Sequence, residues 1–167
     1  MDAHKTKLVS LFSGDEVKYV IPVYQRNYNW NTKQCKQLFN DICSIIKNDK
    51  EHFFGSVVLF DNRHDTYMVI DGQQRLTTVS LIWLAMHRLL EDNTKTTDDD
   101  ESITKLELMM KLRNKFGYMR RHELQPKMIH VEKDKEAYIA LLKGYNDKYV
   151  NESNMTRNFN LFYEWIK

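Results

Sequence analysis

The sequence is poor in the residues that interrupt or cross-link a chain, since its 167 residues include two cysteines, two prolines and five glycines. Two cysteines exclude a disulfide framework, and Cys35 and Cys43 lack the CxxC spacing of a metal site, so we expect reduced thiols in the core. Few glycines and prolines favour regular elements, mostly helices. No apolar run approaches the roughly 20 residues of a membrane span, and the first residues do not read as a signal peptide. We therefore expect a cytoplasmic protein without membrane contact.

An excess of one charge sign is also lacking, because 25 basic and 23 acidic residues leave a net charge of +2. Bulk charge therefore gives no argument for a nucleic-acid partner. Apolar residues make up 42% of the chain and aromatic residues 12%, which excludes a disordered tail. Along the chain the two signs separate. Residues 91–101 carry six acids and one lysine, whereas residues 105–135 carry nine basic and four acidic residues. The acidic stretch predicts a solvated linker or loop.

The hydrophobic pattern predicts an α+β fold, with a small mixed sheet, a buried helix and a mainly helical C-terminal part. We predict strands over 16–23, 53–60 and 66–70, the last two as a hairpin, and helices over 31–47, 74–90, 106–116, 133–143 and 154–167. Asn31 and Gln34 have the spacing of a capping box for the first of these helices. The helix over 74–90 is apolar on nearly every face, which indicates a central, buried helix.

The pattern also predicts how the chain is divided. We expect a core over residues 1–93, an acidic linker or loop over 94–104, and a mainly helical extension over 105–167. Residues 122–134 look extended, and we expect a hairpin there that is interrupted at Pro126. The last predicted helix reaches the final residue without a cap, so we expect this sequence to be the front piece of a longer protein.

The most informative local sequence is IDGQQRLTT, residues 70–78, where a strand enters, Asp-Gly turns and a helix leaves. Unpaired N–H groups at a helix start suit a phosphate, and Gly72 lets a ligand approach the backbone. The amides of Gln73 and Gln74 and the guanidinium of Arg75 would supply donors, and Asp71 would hold Mg²⁺ or orient a water. The alternative is a plain strand–turn–helix junction, with Asp71 as a helix cap and Arg75 on the surface.

The second unusual stretch is IPVYQRNYNW, residues 21–30, where aromatic rings alternate with amide and guanidinium donors. This combination is typical of surfaces that stack and hydrogen-bond bases or single strands. For Trp30, packing on the first long helix is the favoured interpretation. For Gln25 and Arg26 burial without a partner would be costly, which favours a binding role.

The basic stretch offers a separate candidate for contacts with DNA phosphates. Its candidate residues are Arg113, Lys115, Arg120 and Arg121. A solvated surface is the favoured interpretation of this stretch, and phosphate contact is the alternative.

Together, YQRNYNW, FFGSVVL and DGQQRLTT, in this order and over roughly the first 90 residues, resemble the N-terminal domain of GmrSD-type modification-dependent restriction endonucleases. That domain is similar to the ParB and sulfiredoxin nucleotide-binding fold. The resemblance implies a bacterial or archaeal defence protein that binds a nucleoside triphosphate with Mg²⁺ and acts on foreign, often modified, DNA. Family members usually carry an HNH nuclease domain, which we expect either beyond this sequence or on a partner subunit.

Carried over to this chain, the resemblance assigns the phosphate side of the pocket to Asp71, Gly72, Gln73, Gln74 and Arg75, and we expect Thr77 to bind the nucleotide as well. Tyr24, Gln25 and Arg26 would close the pocket from the other wall. If the nucleotide is hydrolysed, Asp71 and Arg75 would be the catalytic residues and Asp71 the metal ligand.

Three hypotheses follow. The first is a nucleotide-binding regulatory domain of a restriction system, with or without NTP hydrolysis. The second treats the same pocket as a DNA site, either of a ParB-like nuclease or of a modification reader. The third is a non-catalytic assembly module. The sequence does not identify the preferred NTP or the DNA modification.

Overall fold

The computed structural model describes residues 3–48, 51–93, 99–144 and 153–167. Their regular elements are, in chain order, α1 (Leu8–Leu11), β1 (Lys18–Val20), α2 (Thr32–Asn48), β2 (Val58–Asp61), β3 (Thr66–Asp71), α3 (Gln73–Asn93), α4 (Asp99–Phe116), β4 (Gly117–Arg120), β5 (Glu123–Pro126), β6 (Met128–Ile129), α5 (Glu132–Lys143) and α6 (Asn154–Ile166). The predicted α+β class is confirmed.

The main sheet has the strand order β2-β3-β1-β6. Strand β1 lies between β3 and β6 and is parallel to both, whereas β2 and β3 form the expected antiparallel hairpin. The predicted strands over 16–23 and 53–60 are shorter than expected. Residues 53–57 are irregular where Gly55 takes φ +106°, and after β1 the chain turns, with the N–H of Gln25 donating to the carbonyl of Pro22 at 2.9 Å.

The capping box of α2 is confirmed. The N–H of Lys33 donates to Oδ1 of Asn31 at 2.9 Å, and the N–H of Asn31 donates to Oε1 of Gln34 at 2.8 Å. The reciprocal pair satisfies two donors at the helix start. It also fixes the point at which the irregular segment before α2 ends.

Helix α3 is the centre of the molecule, as its apolar pattern predicts. Its buried side chains lie on nearly every face and include Leu76, Val79, Leu81 and Leu84. It packs on α4 along one side and on α6 along another. Because α3 is enclosed in this way, a polar side chain on it needs a partner within the protein.

The C-terminal part has the expected extended segment and helices. Strands β4 and β5 pair as an antiparallel hairpin that reaches Pro126, and α5 and α6 lie close to the predicted ranges. The predicted linker over 94–104 is helical from Asp99 onward, and its residues 94–98 lie outside the described part.

Residues on both sides of the predicted domain boundary share one hydrophobic core. Phe12 and Leu76 from the first part are clustered with Phe116, Tyr138 and Phe162 from the second. Strand β6 also completes the sheet from beyond that boundary. None of the described helices has the length and apolar character required to cross a membrane.

The two cysteines are free thiols, with Cys35 buried and Cys43 half-buried. Burial raises the pKa of the Cys35 thiol to about 11. Cys35 is therefore neutral and unreactive at ordinary pH, as expected of a core thiol.

Candidate functional site

A cleft of about 170 Å³ opens at the start of α3. Residues from both unusual stretches of the sequence line it: Gln25, Arg26, Trp30, Asp71, Gly72, Gln73, Gln74 and Arg75. The fold therefore brings together two motifs that are far apart in the chain.

The turn into α3 consists of Gly72 alone, because β3 ends at Asp71 and α3 begins at Gln73. Gly72 takes φ +92°, in the left-handed region that favours glycine. The N–H of Leu76 donates to the carbonyl of Gly72 at 3.0 Å, so Gly72, and not Asp71, is the N-cap. Glycine has no capping side chain, and the first N–H groups of a helix have no acceptor within the helix. The end of α3 that borders the cleft therefore carries positive potential.

Arg75 extends from the first turn of α3 toward the loop before β2. Its Nη2 donates to the carbonyl oxygen of Ser56 and lies 3.9 Å from Oδ2 of Asp71. Its Nε–H is buried and has no acceptor among the described residues. The side chain is 30% exposed. Arg75 is therefore held in place on one side and open to the cleft on the other.

The two glutamines of the DGQQR motif are buried and bind the protein itself. Nε2 of Gln73 donates to Oε1 of Gln25 at 3.2 Å and to the carbonyl of Arg26 at 3.0 Å. Nε2 of Gln74 donates to the carbonyl of Asn27 at 3.1 Å, and its Oε1 accepts from the N–H of Asn29 at 3.0 Å. Their amides therefore fix the opposite wall of the cleft.

That wall is residues 25–30, which we call the wall segment. Its start is fixed by Gln25, whose Nε2 donates to the carbonyl of Ile70 at 2.8 Å. Farther along, the N–H of Tyr28 donates to Oδ2 of Asp134 at 2.6 Å. The hydroxyl of Tyr28 is 2.8 Å from Oγ1 of Thr78 and accepts from Nδ2 of Asn158 at 3.0 Å. Side chains from α3, α5 and α6 thus hold an otherwise irregular segment.

Burial changes the ionisation of two groups in this wall. It raises the pKa of Tyr28, whose hydroxyl is therefore neutral and remains a donor and acceptor. Burial also raises the pKa of Asp134, and the hydrogen bond from the N–H of Tyr28 opposes that rise. The wall segment therefore depends on groups that are desolvated by the fold.

Two expected site residues lie away from the cleft lining. Tyr24 is 70% exposed and is not among the lining residues. Thr77 is buried, with its Oγ1 3.0 Å from Nε2 of His130. Trp30, interpreted from sequence as a packing residue, both contacts the core and lines the cleft.

The basic candidates for DNA contact occupy different environments. Nζ of Lys115 donates to the carbonyl of Val9 at 3.1 Å and to Oγ of Ser13 at 2.9 Å. Arg113 is half-buried. Arg120 and Arg121 are exposed, at the end of β4 and in the turn that follows it. The structure therefore leaves two of the four on an open surface.

Among the described residues that line the cleft, Asp71 supplies the one carboxylate, and its side chain is 67% exposed. Within the described ranges no group of three or more histidine, cysteine, aspartate or glutamate side chains could hold a metal ion. A single carboxylate suits Mg²⁺ when phosphate oxygens and waters complete its coordination. The residues present therefore fit a metal that arrives with a phosphate ligand.

Sequence reasoning did not find three partners of this site. Ser56 receives Arg75, and Asp134 and Asn158 hold the wall segment. Ser56 lies in the FFGSVVL motif, which predicts a strand and does not indicate contact with Arg75, and Asp134 has no distinguishing local pattern. Asn158 lies in the predicted helix over 154–167, and nothing in the pattern of that helix indicates contact with Tyr28.

The family model described as GmrSD restriction endonuclease, N-terminal domain, matches residues 8–167. The chain belongs to this family. The match extends the resemblance of the first 90 residues across the C-terminal helices. No curated protein matches the sequence.

As a member of the GmrSD family, this N-terminal domain belongs to a restriction and phage-defence protein. Its description as the N-terminal domain of an endonuclease implies a C-terminal nuclease domain as partner and DNA as target. The expected family is therefore confirmed.

Proposed function

We propose that the cleft binds the phosphates of a nucleoside triphosphate with Mg²⁺, and that this GmrSD N-terminal domain is the nucleotide-dependent regulatory part of its endonuclease. The observation that carries the proposal is the convergence, in one cleft, of Arg26 and Arg75 with a helix start whose N-cap is a glycine without a capping side chain. Arginine and helix N-termini are the groups that proteins use to bind phosphate.

Arg75 has a donor available for such a ligand. Its Nε–H is buried without an acceptor in the described chain, and leaving a buried donor unpaired costs about 1–3 kcal/mol. A phosphate oxygen in the cleft would accept from it once a small shift of the side chain exposes that N–H. Arg26 is exposed and lines the opposite wall. Two guanidinium groups on facing walls suit a ligand with several anionic oxygens.

Asp71 gives a reason for the metal. Its exposed carboxylate borders the same cleft as the two arginines and would repel a phosphate bound there. A Mg²⁺ ion between the carboxylate and the phosphates would convert that repulsion into coordination. When bound, the ion would neutralise phosphate charge. Asp71 and Arg75 would then position a water and the terminal phosphate if hydrolysis follows.

The turn itself supports the likeness to the ParB and sulfiredoxin nucleotide-binding fold that the motifs imply. In both sequence and geometry a strand leads through one glycine into a helix start. We infer that the phosphates lie at that start and that the wall segment covers them. A cytoplasmic location, where NTPs and invading DNA are both present, stays a prediction.

One observation favours a second candidate function, a DNA site. Tyr24 is 70% exposed and precedes Gln25 and Arg26 of the wall segment. An exposed ring beside an arginine is typical of surfaces that stack a base and bind its phosphate. In this case the cleft would hold a DNA phosphate, and the exposed Arg120 and Arg121 would follow the backbone.

A thermal-shift screen separates these functions from an assembly module. We expect one or more of ATP, GTP, CTP and UTP, each with Mg²⁺, to raise the melting temperature, because a ligand that binds only the native state stabilises it. No shift with any NTP, together with salt-sensitive binding of a single-stranded oligonucleotide, would favour the DNA site. If neither the NTPs nor the oligonucleotide stabilises the protein, and the C-terminal nuclease part does, the assembly-module hypothesis is favoured.

A further inference from the structure

The wall segment has almost no backbone pairing of its own. Residues 26–30 belong to no helix or strand, yet side chains bond the backbone of each of them. These side chains come from the start of α3, the start of α5 and the middle of α6. A segment held by side chains from other elements takes its position from those elements, since it has no ladder to hold it locally.

Asn158 makes the connection from α6. It is 2% exposed, and its Nδ2 donates to the hydroxyl of Tyr28 at 3.0 Å and to the carbonyl of Trp30 at 2.8 Å. An Nδ2 group has two hydrogens, so both are used on the wall segment. Loss of this amide would leave the carbonyl of Trp30 without its donor, and a buried carbonyl in that state is costly.

We propose that α6 regulates the phosphate cleft through Asn158, a positioning residue that binds Tyr28 and Trp30 and thereby holds the wall segment, which also carries Arg26. This proposal rests on the proposed function of the cleft. The packing of α6 on α3 keeps the wall in the binding geometry, and a small shift of α6 would move the wall with it. Coupling of this kind is reciprocal, so phosphate bound in the cleft also stabilises docked α6. The cleft and α6 are thereby coupled through the two hydrogen bonds that Asn158 donates to Tyr28 and Trp30.

The first measurement is calorimetric titration with inorganic triphosphate and Mg²⁺, a probe that carries no base. We expect Asn158→Ala to weaken binding by about 10-fold, equivalent to about 1.4 kcal/mol. The matched control is Asn160→Ala, the same change two residues later on an exposed position of α6. Its affinity should equal that of the wild type.

The second measurement needs no ligand. In a Trp83→Phe, Trp165→Phe background, Trp30 is the remaining tryptophan. We expect Asn158→Ala to increase quenching of its fluorescence by acrylamide, and Asn160→Ala to leave quenching unchanged. If Asn158→Ala does not fold, Tyr28→Phe serves instead, because it keeps the ring and removes the hydroxyl that Asn158 binds. It should shift affinity and quenching in the same direction.

The reciprocal effect provides the third measurement. Triphosphate with Mg²⁺ should slow amide hydrogen exchange in α6 of the wild type, and should do so less in Asn158→Ala. Wild-type affinity in a folded Asn158→Ala, or unchanged Trp30 quenching, would overturn the proposal. A wild type that binds no triphosphate but shows the Asn158-dependent quenching would instead remove the proposed function and keep the mechanical connection.

Discussion

The guanidinium of Arg75 lies directly against the backbone of Gly55. A Cβ built on Gly55 would stand 3.0 Å from both Cζ and Nη1 of Arg75, closer than ordinary contact. Gly55 also takes φ +106°, which side chains rarely adopt. The residue after it, Ser56, accepts from Nη2 of Arg75. This glycine and the following carbonyl therefore determine where the charged end of Arg75 lies in the cleft.

We predict that Gly55→Ala weakens binding of Mg²⁺ with inorganic triphosphate. The added methyl must displace the guanidinium by a few tenths of an ångström, and misplaced donors lose bidentate geometry. We expect affinity to fall by about 3–10-fold, and the positive φ to reduce the free energy of unfolding by about 1–3 kcal/mol. Calorimetric titration and denaturant unfolding measure the two effects.

The matched control for this change is Gly144→Ala, after α5. Gly144 also takes a positive φ, +75°, and its Cβ would meet the guanidinium of Arg88 at 2.7 Å. Arg88 lies outside the cleft lining. The control should lose comparable stability and keep wild-type affinity. Equal affinity losses in both variants would show that general destabilisation, and not the position of Arg75, causes the effect.

Arg75 itself should be indispensable for phosphate binding and dispensable for folding. We expect Arg75→Ala to weaken triphosphate affinity by about 100-fold or more, and Arg75→Lys to recover little of it, because lysine lacks the planar fork. Since the side chain is 30% exposed, the fold should survive. Calorimetry reports affinity, and circular dichroism reports the fold.

Arg88 provides the control on the same helix. Its side chain is 25% exposed, pairs with Glu91 at 2.9 Å and donates to the carbonyl of Leu141. Arg88→Ala removes an arginine of similar exposure without touching the cleft, so its affinity should match the wild type. A folded Arg75→Ala with wild-type affinity would contradict the assignment.

Asp71 should set the metal requirement. Without Mg²⁺ its carboxylate repels the ligand, and with Mg²⁺ it serves as the protein ligand to the ion. We therefore expect Asp71→Asn to weaken triphosphate binding in Mg²⁺ and to strengthen it, relative to the wild type, in the presence of EDTA. Titrations in both conditions measure this reversal. The control is Asp65→Asn, in the turn at the far end of the same hairpin, which should leave triphosphate affinity unchanged both in Mg²⁺ and in EDTA. If Asp71→Asn instead loses affinity equally in both conditions, Asp71 is not the metal ligand.

The predictions that held depend on neighbours in sequence. Asn31 and Gln34 are three residues apart, so their reciprocal cap is written in the local sequence. The burial of α3 follows from an apolar pattern on all its faces. Both are local patterns, and reading them from the sequence requires no information about contacts between residues that are distant in the chain.

The arrangement of the site could not be predicted in the same way. Gln73 and Gln74 read as phosphate donors from sequence, yet their amides bind the wall segment, whose position depends on the whole fold. Lys127 shows the same limit. It belongs to the basic stretch, which reads as a solvated surface, but it is 1% exposed and its Nζ donates to carbonyls of Phe12, Gly14 and Asn114. Charge alone did not reveal that these distant carbonyls surround it.

Acid should destabilise the fold through His130, which is 4% exposed and packs against Tyr138 in a tilted arrangement with ring centroids 4.7 Å apart. Burial lowers the pKa of His130 to about 3. In the unfolded chain the pKa of this histidine is about 6.5, so below that pH the unfolded chain binds a proton that the folded chain does not bind. Stability from the neutral ring is therefore present above pH 6.5 and is lost as pH falls toward 3.

Comparison with His130→Gln isolates this contribution, because glutamine does not titrate. His87, whose pKa burial also lowers, and the carboxylates act equally in both proteins. Between pH 7 and pH 5 we expect the wild type to lose about 2 kcal/mol more unfolding free energy than the variant. Urea unfolding at pH 7, 6 and 5 measures the difference, and parallel losses in the two proteins would show that His130 takes up its proton within the folded state.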